Sequence, residues 1–212
     1  MKEKVILFDF DGTLLYTIPD LADATNYALE KFGYPCHDYD TIQSFVGNGV
    51  RLLVSRALPG GEENPDFEAV FSAFSAYYDV HCLDKTGPYD GIMEMLGALK
   101  AEGVKMAIVT NKYQAAAEEL RKKYFDEFIP IIEGDVVGRA RKPDPAPVRA
   151  AMAALGAEEA VYIGDTEVDM QTAINSGLDF IAVEWGFRTL EQLRALGIEK
   201  IAMKPMDIVD MI

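Results

Sequence analysis

The stretch Val5-Ile6-Leu7-Phe8-Asp9-Phe10-Asp11-Gly12-Thr13-Leu14 decides how the rest of the chain is read. Its apolar start, Val5 to Phe8, has the character of a buried strand. The run breaks into a pair of aspartates two residues apart and then a glycine. Strand side chains alternate, so Asp9 and Asp11 would share a face, while Gly12 lets the chain turn out of the sheet. Either geometry sets two acids together at the carboxyl end of a hydrophobic strand, the edge where ligands bind in an open α/β sheet. Like charges held this close need an offset, and a divalent cation with oxygen ligands, magnesium first, supplies it. The competing reading makes both aspartates ordinary turn residues after a strand.

Outward from this stretch the chain changes character twice. Residues 16–88 read as helical throughout. Pro19-Asp20 opens an amphipathic helix carried by Leu21, Ala24, Tyr27, Ala28 and Phe32, and Gly33 ends it. A later stripe of Phe67, Val70, Phe71, Phe74 and Tyr78 has helical spacing and reads as core. From Asp90 onward helices and strands alternate. Strands are expected over 104–109, 128–132, 160–163 and 180–183, with a last edge strand near 200–203. Repeated β-α units imply a parallel sheet covered on both faces. The expected architecture is a doubly wound, Rossmann-like α/β core (1–15 and 89–212) with an inserted α-helical cap domain (16–88). An insert that leaves and re-enters beside the first acid pair is placed as a lid.

Composition narrows the partners. The chain has 212 residues, is 50% hydrophobic and carries a formal charge of −15. Nucleic acid and anionic membrane surfaces need a basic patch, so neither is expected as a partner. No stretch is long and apolar enough to span a bilayer, and Met1-Lys2-Glu3-Lys4 runs into the first strand without a signal-peptide layout. Cys36 and Cys82 make no disulfide framework, which fits a reducing, cytoplasmic setting. Cys36-His37 and His81-Cys82 lack the C-x-x-C spacing of a zinc site, and adjacent side chains diverge.

Further chemistry follows later strands. Thr110-Asn111-Lys112 ends one strand with a hydroxyl and an amide, Thr110 and Asn111, that can donate to an anion. Arg141-Lys142-Pro143-Asp144-Pro145 sets Lys142 on a proline-rich loop, a compact charge suited to a phosphate. Gly164-Asp165 ends another strand in an acid, with Asp169 one helical turn on. Read singly, these are a helix cap, a surface lysine and a second cap. Read together, strands ending in Asp, Thr and Asp with a lysine loop between them describe one anion- and metal-binding edge.

These residues carry a resemblance to the haloacid dehalogenase-like superfamily of phosphohydrolases. Asp9-x-Asp11-Gly12-Thr13, Thr110-Asn111, Lys142-Pro143-Asp144 and Gly164-Asp165-x-x-x-Asp169 are similar to its motifs, in order, across essentially the whole chain. Phe45-Val46-Gly47-Asn48-Gly49-Val50-Arg51 resembles the cap loop of the phosphoglycolate phosphatase branch, as does 183–188. The resemblance implies a cytoplasmic Mg²⁺-dependent phosphatase acting on a small phosphorylated metabolite, 2-phosphoglycolate first, as a monomer or homodimer. It implies Asp9 as the nucleophile that becomes an aspartyl-phosphate and Asp11 as general acid and base. Asp9, Asp11 (through its backbone carbonyl), Asp165 and Asp169 would serve the metal. Thr110, Asn111 and Lys142 would hold the phosphoryl oxygens, with Gly12, Thr13 and the cap residue Arg51 against the substrate. A β-phosphoglucomutase-like phosphomutase, a pyrophosphatase or a nucleotidase could share this core. A non-hydrolysing phospho-aspartate signalling module also clusters Asp, Thr and Lys on a parallel sheet. Its acceptor, however, does not follow the first strand, and it lacks a long helical insert.

Overall fold

The computed structural model describes residues 4–212; Met1-Lys2-Glu3, read above as a leaderless run-in, lies outside the described residues. In chain order, β1 (Val5–Phe8) and β2 (Leu15–Tyr16) precede α1 (Ile18–Lys31), α2 (Tyr39–Phe45), α3 (Val50–Ala57) and α4 (Phe67–His81). Then follow β3 (Gly87–Pro88), α5 (Ile92–Ala101), β4 (Lys105–Tyr113), α6 (Gln114–Tyr124), β5 (Ile131–Asp135), α7 (Ala146–Leu155) and β6 (Val161–Gly164). The chain finishes with α8 (Glu167–Ser176), β7 (Asp179–Val183), α9 (Leu190–Ala195), β8 (Ile201–Ala202) and α10 (Asp207–Met211). It divides into two compact units, Met1–Leu15 with Pro88–Ile212, and Tyr16–Gly87.

The first unit is built on a six-stranded sheet ordered β5-β4-β1-β6-β7-β8, its paired strands parallel. Parallel neighbours need crossovers, which the intervening helices supply. β1 lies inside the sheet between β4 and β6, and all of Val5–Phe8 is buried, which is why its sequence does not alternate. Val5, Leu7, Ala107, Val109 and Tyr162 pack with Val148, Ala151 and Ala173 from the covering helices. From β1 the sheet grows one way through β4 and β5, and then the other way through β6, β7 and β8. This reversal puts the topological switch between the carboxyl ends of β1 and β6, the place where such sheets bind ligands.

Two boundaries differ from those expected. The apolar run stops at Val109, yet β4 continues to Tyr113 through a register shift. Thr110, Asn111 and Lys112 therefore sit on a bulged strand end, not in a helix cap, and all three are buried despite being polar. Phe128 and Ile129 close the turn after α6, their N–H groups donating to the Phe125 carbonyl, so β5 begins only after Pro130. The short α10 and the two-residue strands β2 and β3 had no counterpart in the sequence reading, which made 16–88 helical throughout.

The second unit has a core of its own, in which Leu21, Ala24, Ala28, Leu53, Phe67, Val70, Phe74 and Tyr78 are buried together. Each large apolar side chain buried this way contributes about 1.5–3 kcal/mol. Asp20, near the start of α1, is 2% exposed, and its carboxylate accepts from the backbone N–H groups of Lys85 (3.0 and 3.1 Å) and Thr86 (2.8 Å). It ties the unit's first helix to its last residues. Asp20→Ala would strip buried amides of a charged acceptor, and is expected to lower stability by about 2–3 kcal/mol. Urea unfolding checks this; an unchanged midpoint would show that the contact carries no stability. His37 Nε2 lies 2.8 Å from the Ala57 carbonyl and His81 Nδ1 lies 2.8 Å from Asp84, so each histidine has a partner of its own. Neither Cys36 nor Cys82 is in a disulfide. Among the described residues no helix is long and apolar enough to cross a membrane.

Candidate active site

β1 ends at Phe8, but the strand pattern persists briefly: the Asp9 N–H still donates to Ile163 of β6 (2.8 Å). Phe10, fully buried, points the other way and meets Phe125 edge-on at 5.9 Å. Leu14 and Leu15 then donate back to the Phe10 carbonyl, closing the turn that carries Asp11, Gly12 and Thr13. Gly12 has φ +90° and lies so close to the Asp165 carboxylate that a Cβ would collide with it. Its N–H donates to Leu15 (2.8 Å), so what Gly12 brings to the site is the absence of a side chain.

Asp9, Asp165 and Asp169 converge, with carboxylate oxygens within 4.8 Å of one another, and all three are buried. Lys142 joins them. Its Nζ donates to Asp9 (2.6 Å), Asp169 (2.7 Å) and the Tyr162 hydroxyl (3.1 Å), which matches the three donors of an ammonium. Tyr162 in turn donates to the Val109 carbonyl (2.9 Å), so the lysine is braced from the sheet floor. Asn111 Nδ2 donates to the Lys142 carbonyl (3.1 Å) and steadies the same loop. Thr110 is buried, and its hydroxyl accepts from the Lys112 N–H (3.1 Å), which leaves the O–H as a donor.

The two later acids are held differently. Asp165 accepts from the Thr13 hydroxyl (3.1 Å) and the Phe187 N–H (2.7 Å). Asp169 uses one oxygen for Lys142 and the other for the Thr166 hydroxyl and N–H (2.7 and 3.0 Å) at the start of α8. Thr166, not Asp165, is the N-cap of α8, and Asp169 is its reciprocal partner. Gly164 and Gly186 leave room for these acids, because a Cβ on either would strike Asp169 or Asp165 respectively.

Sequence reasoning missed several supporting residues. Lys112 reaches Asp11, with Nζ 3.0 Å from Oδ1. Trp185, the chain's one tryptophan, donates from Nε1 to the Thr13 carbonyl (3.0 Å). Tyr162 read only as strand, and Gly186 and Phe187 only as part of a resemblance; one signal available was their place just after a strand end. Arg51 belongs to the second unit. Its guanidinium pairs there with Glu68 (2.6 Å) and Glu62 (3.3 Å) and lies over the Phe67 and Phe71 rings.

The electrostatics of the buried cluster are unbalanced. Burial, then the Asp169 charge, push the Asp9 carboxyl up to about 7 against the pull of Lys142. Burial, then Asp169 and Asp9, raise Asp165 well above the usual carboxylate range. Burial opposes the Lys142 ammonium, yet Asp169 and Asp9 hold it well above an ordinary lysine. The donor set is made of hard carboxylate oxygens with one ammonium among three acids, and a divalent cation fits it.

The family model for haloacid dehalogenase-like hydrolases matches residues 6–183. The chain belongs to the haloacid dehalogenase-like hydrolase family. This hydrolase is 38% identical over 188 residues to a phosphoglycolate phosphatase of Cereibacter sphaeroides, covering 86% of each chain. It is 35% identical over 206 residues to a phosphoglycolate phosphatase of Thiobacillus denitrificans, covering 93% of its own length and 90% of the relative. Among solved structures, a candidate phosphoglycolate phosphatase of Lactobacillus delbrueckii subsp. bulgaricus superposes with a TM-score of 0.93 at 33% identity. That match covers 100% of the hydrolase and 98% of the other chain.

Proposed function

We propose that the hydrolase is a Mg²⁺-dependent phosphatase that cleaves a small phosphomonoester, 2-phosphoglycolate first among the candidates. The observation that carries this reading is the buried Asp9 carboxylate held at 2.6 Å by Lys142 beside the topological switch at the carboxyl ends of β1 and β6. Phosphoryl transfer asks for placement and charge neutralisation above all. Asp9 attacks phosphorus and becomes an aspartyl-phosphate as the alkoxide leaves. Asp11 gives its proton to that alkoxide and later takes one from the water that opens the acyl phosphate. The Thr110 hydroxyl holds a phosphoryl oxygen, the Lys142 ammonium turns one of its three donors from a present acceptor to another, and Asn111 keeps the Lys142 loop in place. Asp9, Asp165 and the Asp11 backbone carbonyl would hold the metal, with Asp169 orienting their surroundings. When bound, Mg²⁺ offsets the charge of the acids and of the phosphoryl group. The resemblance of the relatives named above favours 2-phosphoglycolate over sugar phosphates, nucleotides and pyrophosphate.

Phosphate release across a panel of those compounds tests the substrate. An acid quench during turnover tests the chemistry, with a phosphate adduct expected on the peptide that carries Asp9. A panel with no turnover, or an adduct elsewhere, would reject the reading.

Metal binding has a readout separate from turnover. Without metal, the folded Asp9 carboxyl titrates near 7 and the unfolded one near 3.8. The folded state then holds the extra proton between those values. Its contribution to stability is present below about 4 and is lost as the pH rises through about 7. At pH 7.5, Mg²⁺ at roughly 100 times its Kd is expected to add about 2.7 kcal/mol, on the order of 5–10 °C in Tm, and a chelator should reverse it. Trp185 sits on the Thr13 loop whose hydroxyl holds Asp165, so its fluorescence should follow the same titration. Identical melts and emission with and without Mg²⁺ would remove the metal from this site.

A further inference from the structure

Of the buried cations with no part in the chemistry proposed above, Arg121 is answered by Glu118 and Asp126, and Lys112 stands at the site itself. Lys142 gives its donors to Asp9, Asp169 and Tyr162 and so serves the nucleophile. Lys112, near the carboxyl end of β4, is directed at the other aspartate. Its side chain is 3% exposed, and its Nζ is 3.0 Å from Asp11 Oδ1. Its backbone N–H is fixed to the Thr110 hydroxyl, so it is anchored to a residue assigned to the phosphoryl group. The Asp11 side chain is 17% exposed, so the pair opens outward on the Asp11 side. A buried ammonium is unfavourable unless an anion answers it. A lysine places that charge as a compact point on a flexible stem, able to bridge two carboxylates.

We propose that Lys112 is a specificity-determining residue that binds a carboxylate on the leaving group of the substrate, a phosphorylated hydroxyacid. The inference rests on the phosphatase reading, and within it on Asp11 as proton donor to the leaving oxygen. In a short hydroxyacid ester, a single methylene separates that oxygen from the carboxylate. An ammonium in contact with Asp11 can therefore be reached by the carboxylate, at a hydrogen-bond distance of about 3 Å, when the ester oxygen meets Asp11 on the Lys112 side. The phosphoryl group makes no demand on Lys112, since Lys142 and Thr110 serve it. Lys112 thus discriminates by charge between acid and neutral alcohol leaving groups, which differ little in size.

The test compares kcat/KM for 2-phosphoglycolate and 2-hydroxyethyl phosphate, in the wild type and in Lys112→Met. The wild type should prefer the carboxylate by roughly 100-fold or more. Lys112→Met should bring that ratio to within a few-fold of one, chiefly through KM for 2-phosphoglycolate, and Lys112→Arg should keep more of it. Losses shared by both esters, through Asp11 or the fold, cancel in the ratio. A wild type without the preference, or a methionine variant that retains it, overturns the proposal. If Lys112→Met does not fold, inhibition of the wild type decides. Competitive inhibition by glycolate but not by ethylene glycol supports the assignment, and equal or absent inhibition rejects it. A wild type that hydrolyses other phosphomonoesters while ignoring the carboxylate sinks only the Lys112 assignment. One that hydrolyses no phosphomonoester sinks the phosphatase reading, and this proposal with it.

Discussion

Asp9→Asn is expected to lower kcat by about 10⁴-fold or more while the protein stays folded. The amide matches the carboxylate in shape but is not a nucleophile toward phosphorus. Asp9 is held by Lys142 at 2.6 Å and crowded by Asp169 and Asp165, so removing its charge relieves repulsion in a dry site. The metal-free variant should therefore melt at or above the wild-type temperature at pH 7.5, since the wild-type acid must be ionised there against its raised titration point. Phosphate release and thermal unfolding measured on one preparation separate the two effects. A variant with more than about one hundredth of the wild-type rate would place the nucleophile elsewhere. A variant that is inactive only because it has unfolded would leave the charge balance described above without support.

Lys142→Met should injure both activity and fold. The substitution keeps most of the stem but leaves Asp9 and Asp169 facing each other without the ammonium that joins them. Breaking a buried ion pair from one side costs about 3–5 kcal/mol, because the remaining charge stays buried and unanswered. Loss of a preorganised donor to the phosphoryl oxygens should lower kcat by roughly 10²–10³-fold. The two losses respond differently to added Mg²⁺. The cation can answer the stranded acids and raise Tm, but it does not supply the missing ammonium, so kcat stays low. A variant with wild-type melting and turnover would show that Lys142 is ornamental to the cluster.

The fold was legible because its strands are short apolar runs ending in chemistry. β1, β6 and β7 are buried inside the sheet, and such strands need no alternation to be seen. β4 was read short because hydrophobicity stops at Val109, although its backbone ladder goes on through the buried polar residues Thr110, Asn111 and Lys112. Asp9, Asp11 and Asp165 stood out because acids just after apolar strands have few structural reasons to be there, whereas Lys142, on a loop, and Asp169, inside α8, stood out only through their combination with them. Lys112 did not, since a lysine beside Thr110-Asn111 looks like any solvated side chain until coordinates bring Asp11 to it. Tyr162 was hidden for the opposite reason: its ring belongs to the core, and only its hydroxyl meets the lysine. The capping of α8 by Thr166, with Asp169 as its reciprocal partner, was not legible because Asp165 is an equally good cap by type.

The chain leaves the sheet unit and returns to it through neighbouring residues. β2 and β3 pair with each other, and the Tyr89 N–H donates to the Leu14 carbonyl at 3.2 Å. An excursion whose ends are already joined imposes almost no span on what lies between them, and closure entropy grows only slowly with length. The helical segment also carries its own apolar interior. It is thus a transplantable module. A short turn joining Leu14 to Tyr89 should let the parallel sheet fold without it, and a foreign helical bundle grafted at the same junction should be tolerated as readily as the native one.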